Sequence, residues 1–103
     1  MVSTKQSEFL KMMGLRLRAA RLEREESQEN FAFRVGVSVP TLRKMEQGSP
    51  QVSIGTWVGA LEILGRLDDL DAILAPRKSL AERYVTEQKI KGRQRAPRRS
   101  NND

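Results

Sequence analysis

Cysteine and histidine are both missing from the 103 residues. Without cysteine there is no disulfide staple and no thiolate ligand. Without histidine there is no imidazole acid–base chemistry, and the two absences together exclude the common zinc sites. Aromatic side chains are scarce, with three Phe, one Tyr and one Trp. No apolar run approaches the roughly 20 residues that span a bilayer, and the start MVSTKQSEF does not read as a signal peptide. The expectation is a cytoplasmic protein that is not an enzyme and carries no cofactor or metal.

The charged residues that are present are distributed unevenly. Residues 1–75 hold 10 Lys/Arg and 10 Asp/Glu, whereas residues 76–103 hold 9 Lys/Arg and 3 Asp/Glu, so the whole excess of +6 lies behind Ala75. A neutral front and a basic tail suit a nucleic-acid partner, although a solvated tail that only aids solubility has the same composition. The length allows one small domain and a tail. The division expected is a domain over residues 1–75 and a basic tail over 76–103, partly helical and then disordered.

Apolar spacing along the front reads as helix throughout. In SEFLKMMGLRLRAARLEREE, Leu10, Met13, Leu17 and Ala20 share a face, with Ser7 as N-cap and Gly14 placed where another helix passes close. Ser27 caps a second helix with Phe31, Ala32 and Val35 inward, and Gly36 ends it at a position where a left-handed conformation is cheap. Ser38 caps a third helix, with Pro40 in its first turn, Leu42 and Met45 inward, and Gly48-Ser49-Pro50 as terminator. Ser53 opens a fourth, with Ile54, Trp57, Val58, Leu61 and Leu64 as its apolar stripe. The spacing of Trp57 marks it as core.

A fifth helix is expected over DDLDAILA, with Leu67, Leu70, Ile73 and Leu74 apolar and Pro76 as its end. Asp68, Asp69 and Asp71 then read as a helix start without paired basic groups, not as a metal site. SLAERYVTEQKIKG holds one more short helix at most, with Ser79 as cap, and RQRAPRRSNND has no periodicity. The fold class expected is all-α: five helices and a basic C-terminal tail.

Two short helices joined at Gly36 form a helix-turn-helix. A two-turn helix standing on another fits the major groove, about 12 Å wide. On the third helix Val39, Pro40, Arg43, Lys44 and Gln47 fall on the exposed side, and Arg43 and Lys44 suit base edges or phosphates.

Residues 14–48 resemble the helix-turn-helix family of phage repressors and Cro proteins through GLRLRAAR, SQENFA, VGVSVPTL and MEQG at ungapped spacing. The resemblance implies that Gln28 clamps a phosphate and supports a base-reading side chain. It also implies that Ala32 lets the second and third helices approach, and that Arg21 and Glu46 form an internal ion pair. Ser38 and Thr41 are implied as DNA contacts beside Arg43 and Lys44. Two departures stand out. Val39 and Pro40 replace residues that hydrogen-bond to bases, which shifts specificity toward a thymine methyl or DNA shape. Glu25-Glu26 replaces a glycine–apolar pair and should loosen the turn before Ser27.

A narrower likeness runs over residues 37–84. GSPQVSIGTW, RLDDLDAIL and SLAERY are similar to HipB-like antitoxins, the DNA-binding partners of HipA-like kinase toxins. It implies a homodimer on double-stranded operator DNA with inverted repeats, autorepression and association with the kinase. Arg93, Arg95, Arg98 and Arg99 of the tail are then candidates for DNA or partner contacts. A phage-type repressor, a restriction–modification controller, and a protein-binding module that has lost DNA binding are the other readings this chain allows.

Overall fold

The computed structural model describes residues 3–77, 82 and 84–92. Four α-helices come first: α1 (Thr4–Glu23), α2 (Gln28–Val35), α3 (Val39–Glu46) and α4 (Ile54–Ile63). A 3-10 turn over Leu67–Ala72 follows, and residues 84–92 are helical (α5). No described residue lies in a strand. The all-α expectation holds, but the described residues form six helical segments and not five. The described residues fall into two units divided between Asp71 and Ala72.

Capping serines set the start of every helix in the first unit. Ser27, Ser38 and Ser53 each take up an extended backbone and accept from the backbone N–H three residues on. The first helix begins earlier than its apolar pattern suggested. Its cap is Ser3, not Ser7, in a reciprocal capping box: Gln6 N–H donates to Ser3 Oγ at 3.1 Å and Ser3 N–H donates to Gln6 Oε1 at 2.9 Å. Gly36 closes α2 at φ +89°, as the sequence suggests.

The core consists of Leu17, Phe31, Ala32, Leu42, Met45, Trp57, Ala60 and Leu64. Helix α1 packs on α3, and α2 packs on both α3 and α4. Trp57 is core, as its spacing indicates. The α4 stripe is narrower than expected, because Ile54 at its N-terminal end stays exposed.

The segment after Gly65 differs most from expectation. Three aspartates among six residues are poor α-helix formers, and the chain makes a 3-10 turn there with none of its side chains buried. The aspartates are not without basic partners: Arg66 Nη2 lies 2.9 Å from Asp69 Oδ2. Leu74 takes a left-handed backbone (φ +58°) and is 97% exposed, with Ile73 exposed beside it. Ser79 and the tail arginines Arg93, Arg95, Arg98 and Arg99 lie outside the described residues.

Candidate nucleic-acid interface

Helix α3 is held from behind by an ion pair. Arg21, on the last turn of α1, donates from Nε to Glu46 Oε2 at 2.7 Å and from Nη2 to Glu46 Oε1 at 3.1 Å. Both side chains are buried, at 6% and 4% exposure, and every buried side-chain polar atom among the described residues has a partner. A fork-to-fork contact of this kind fixes orientation as well as distance. The hydrogen bond with Glu46, reinforced by the carboxylate charge and opposed by burial, keeps the Arg21 guanidinium above its ordinary arginine range. Arg21 Nη1 also donates to the backbone carbonyl of Glu26 at 2.8 Å.

That last bond bears on the turn between α1 and α2. Glu25 occupies a left-handed conformation (φ 57°) that glycine adopts without strain. Glu26 turns its carboxylate to Arg34 Nη1, 2.7 Å away, and to Arg24 Nε, 3.6 Å away. The Glu25-Glu26 turn is thus tied at three points, where a loose turn was expected.

The residues singled out on and around α3 fall into distinct settings. Pro40, Arg43, Lys44 and Gln47 are exposed. Val39 is not on the open face: it is half-buried and packed against the core. A side chain at the first helical position leans back over the preceding turn, and here that direction meets the hydrophobic cluster. Gln47 lies just past the last turn, as the C-cap.

Ser38 Oγ accepts from Thr41 N–H at 3.2 Å and donates to Thr41 Oγ1 at 3.0 Å. Its hydroxyl proton is therefore used within the cap, and the Thr41 hydroxyl proton is the one left to donate outward. Gln28, at the first position of α2, is half-buried. Its Nε2 donates to Glu46 Oε1 at 3.2 Å and its Oε1 accepts from Arg43 Nε at 3.3 Å. Composition and spacing did not reveal this link, since Gln28, Arg43 and Glu46 meet only once α2 and α3 are packed. Lys44 makes no ion pair among the described residues, so its ammonium is available to an anionic partner.

A short capped helix thus presents two cations on a scaffold that a buried ion pair keeps in place. The model of a family described as a helix-turn-helix domain matches residues 13–73. The chain belongs to that helix-turn-helix family. It is a DNA-binding regulatory domain of the broader repressor-like (XRE-like) superfamily. The match takes in α2, α3, α4 and the second half of α1, and ends at Ile73, just past the 3-10 turn. Searches among curated proteins and among solved structures found no match. Among the described residues no group of acidic side chains is placed to hold a metal ion, and no helix is long and apolar enough to cross a membrane.

Proposed function

We propose that this helix-turn-helix protein is a sequence-specific autorepressor that sets α3 in the major groove of an inverted-repeat operator. The observation that carries the reading is the pairing of exposed Arg43 and Lys44 on a two-turn helix with the buried Arg21–Glu46 bond behind it. Cationic side chains on a helix of that size contact base edges and phosphates, and a fixed scaffold lowers the ordering cost of the contact. Gln28, Thr41 and Ser38 flank these groups, with Pro40 and Gln47 at the edges. Val39, half-buried, contributes at most a methyl contact.

The likeness of GSPQVSIGTW and RLDDLDAIL to HipB-like antitoxins supports a role as antitoxin and partner of a HipA-like kinase toxin in the cytoplasm, associated with the nucleoid when bound to DNA. A homodimer fits this reading, because one short helix covers few base pairs and two-fold proteins match half-sites about 34 Å apart. Exposed Ile73 and Leu74 are the apolar candidates for its interface. The apolar face of α4 is not available, since Trp57, Ala60 and Leu64 belong to the core. Residues 1–75 act in this reading as the DNA-binding domain and residues 76–103 as a basic arm.

The test has two parts. Arg43→Ala and Lys44→Ala are titrated at fixed salt against a duplex selected by the parent protein from a random pool, and against unselected DNA. Each variant is expected to keep the parent fold and lose affinity. Equal loss on both duplexes marks a phosphate contact, and loss confined to the selected duplex marks base reading. Unchanged affinity in both variants sinks the α3 assignment. A parent whose binding does not weaken with salt is the protein-binding module instead. Co-expression with the adjacent genes, followed by purification and mass identification of what stays bound, tests the kinase; a methyltransferase or phage gene beside it favours the controller or phage-repressor reading.

A further inference from the structure

A chain of hydrogen bonds with one possible polarity runs from the buried end of α1 to the open face of α3. Arg21 donates twice to Glu46. Glu46 Oε1 also accepts from Gln28 Nε2 at 3.2 Å, and Gln28 Oε1 accepts from Arg43 Nε at 3.3 Å. The chemistry of the end groups dictates this order. An ionised carboxylate only accepts, so Gln28 must turn its NH2 toward Glu46. That leaves the amide oxygen facing Arg43, which as a guanidinium only donates. With the opposite amide orientation, the Gln28 oxygen would face a carboxylate and its NH2 would face an N–H.

From this geometry we infer that Glu46 is a positioning residue for DNA binding as well as a structural one. By orienting the Gln28 amide it holds Arg43 Nε and leaves the two Nη nitrogens of this exposed side chain without a hydrogen-bond partner among the described residues. An exposed arginine ordinarily loses much rotamer freedom when it docks, and one held at Nε before docking loses less. Bonds to the charged ends of the chain are stronger than neutral ones, and neighbouring bonds polarise each other, so the hold reaches Arg43 from a buried carboxylate that never meets the DNA. The inference rests on α3 being the DNA-facing helix.

Two variants break the chain at different points. Glu46→Gln ends the acceptor-only character that sets the amide. Gln28→Met keeps the side-chain length but removes both of its polar ends, while leaving Arg21 and Glu46 paired; it serves where Glu46→Gln proves unstable. Both are made in the full chain and studied below the melting temperature of the least stable variant, with circular dichroism confirming the fold.

The first readout is solvent exchange of arginine Nε–H groups by 15N NMR in the free protein. Arg43 is expected to exchange more slowly than exposed Arg18, and to approach Arg18 in either variant. The second is affinity for the duplex selected by the parent from a random pool. Arg43→Ala is expected to weaken binding about tenfold in the parent and roughly threefold or less in either relay variant, because contacts in one network do not add. A Glu46 that is only structural gives the same Arg43→Ala factor in the Glu46→Gln background as in the parent.

Unchanged Arg43 exchange in either variant overturns the inference, as does an Arg43→Ala factor in either variant equal to that in the parent, and both results leave DNA binding by the parent intact. A parent that selects no duplex removes the DNA-binding reading itself and this inference with it, and the exchange data still report whether the hydrogen-bond chain exists in solution.

Discussion

Gly14 of α1 touches the backbone of Glu46 at the end of α3: a Cβ at position 14 would lie 2.7 Å from the Glu46 carbonyl carbon and 2.6 Å from the carbonyl oxygen of Met45. The atoms it would meet are main chain, so no side chain can swing aside. Gly14→Ala gains up to about 1 kcal/mol of helix propensity and loses roughly 1–3 kcal/mol to overpacking, so the net effect is destabilising. For a domain of this size each 1 kcal/mol lowers the melting midpoint by about 4–8 °C. Gly55→Ala in α4 is the control, because the nearest foreign atom to its Cβ would be Ser53 Oγ at 3.8 Å. A thermal melt should show a lower midpoint for Gly14→Ala and an equal or higher one for Gly55→Ala. A midpoint for Gly14→Ala at or above that of the parent would show that α1 and α3 do not approach so closely.

The ion pair next to this contact supports a second prediction. Glu46→Ala leaves the Arg21 guanidinium buried without its carboxylate, a loss of about 3–5 kcal/mol. Glu23→Ala, on the exposed side of α1, removes a solvated charge and costs little. The sign of the pH dependence follows from Arg21, whose pKa is raised in the folded state. A raised pKa gives a stabilisation that is complete below the ordinary arginine value and is lost only as pH rises through the folded one. The deficit of Glu46→Ala should therefore be the same at about pH 7 and about pH 9, as measured by urea denaturation. Equal stability of the Glu46 and Glu23 variants would mean that Glu46 is solvated.

Much of this architecture could be read from residue types, because short-range chemistry set it. Ser27, Ser38 and Ser53 are caps whose effect reaches three residues along the chain, and Gly36 reverses the chain by its own backbone freedom. The places where expectation and structure part involve longer-range effects. The Ser3–Gln6 capping box was visible as S-x-x-Q, but the apolar pattern begins later and drew the helix start to Ser7. The leucines around the 3-10 turn at Leu67–Ala72 share the spacing of an α-helix, yet none of its side chains is buried to stabilise a longer helix.

The interface shows the same limit. The exposure of Arg43 and Lys44 followed from α3 periodicity, whereas the half-burial of Val39 depends on how α3 sits on the core. The Gln28–Arg43 bond joins residues 15 positions apart on different helices. Gly48 is a further case: its sequence context marks a terminator, which φ +81° bears out, but a Cβ there would also lie 2.7 Å from the backbone of Lys11. Gly14 alone, a small residue inside the α1 pattern, pointed to a crossing helix, and it could not say which.

The arginines beyond Gly92 give the last prediction, which rests on composition. Residues 93–103 contain Arg93, Arg95, Arg98 and Arg99 against the single acid Asp103, so deleting them lowers the net charge from +6 to +3. Residues 1–75 are neutral, and Arg24 and Arg34 are engaged by Glu26 while Arg21 is engaged by Glu46. The folded part therefore carries no net charge to draw in phosphate from a distance, and an arm that lies along the backbone or enters the minor groove would supply the long-range attraction. Deletion is expected to weaken binding to selected and unselected duplexes alike. It should also flatten the dependence of log affinity on log salt, by about one unit for each phosphate that the arm no longer neutralises. A slope that stays put while a co-expressed kinase is no longer retained assigns the arm to the protein partner. If neither property changes, the concentration of charge behind Ala75 has no role in binding.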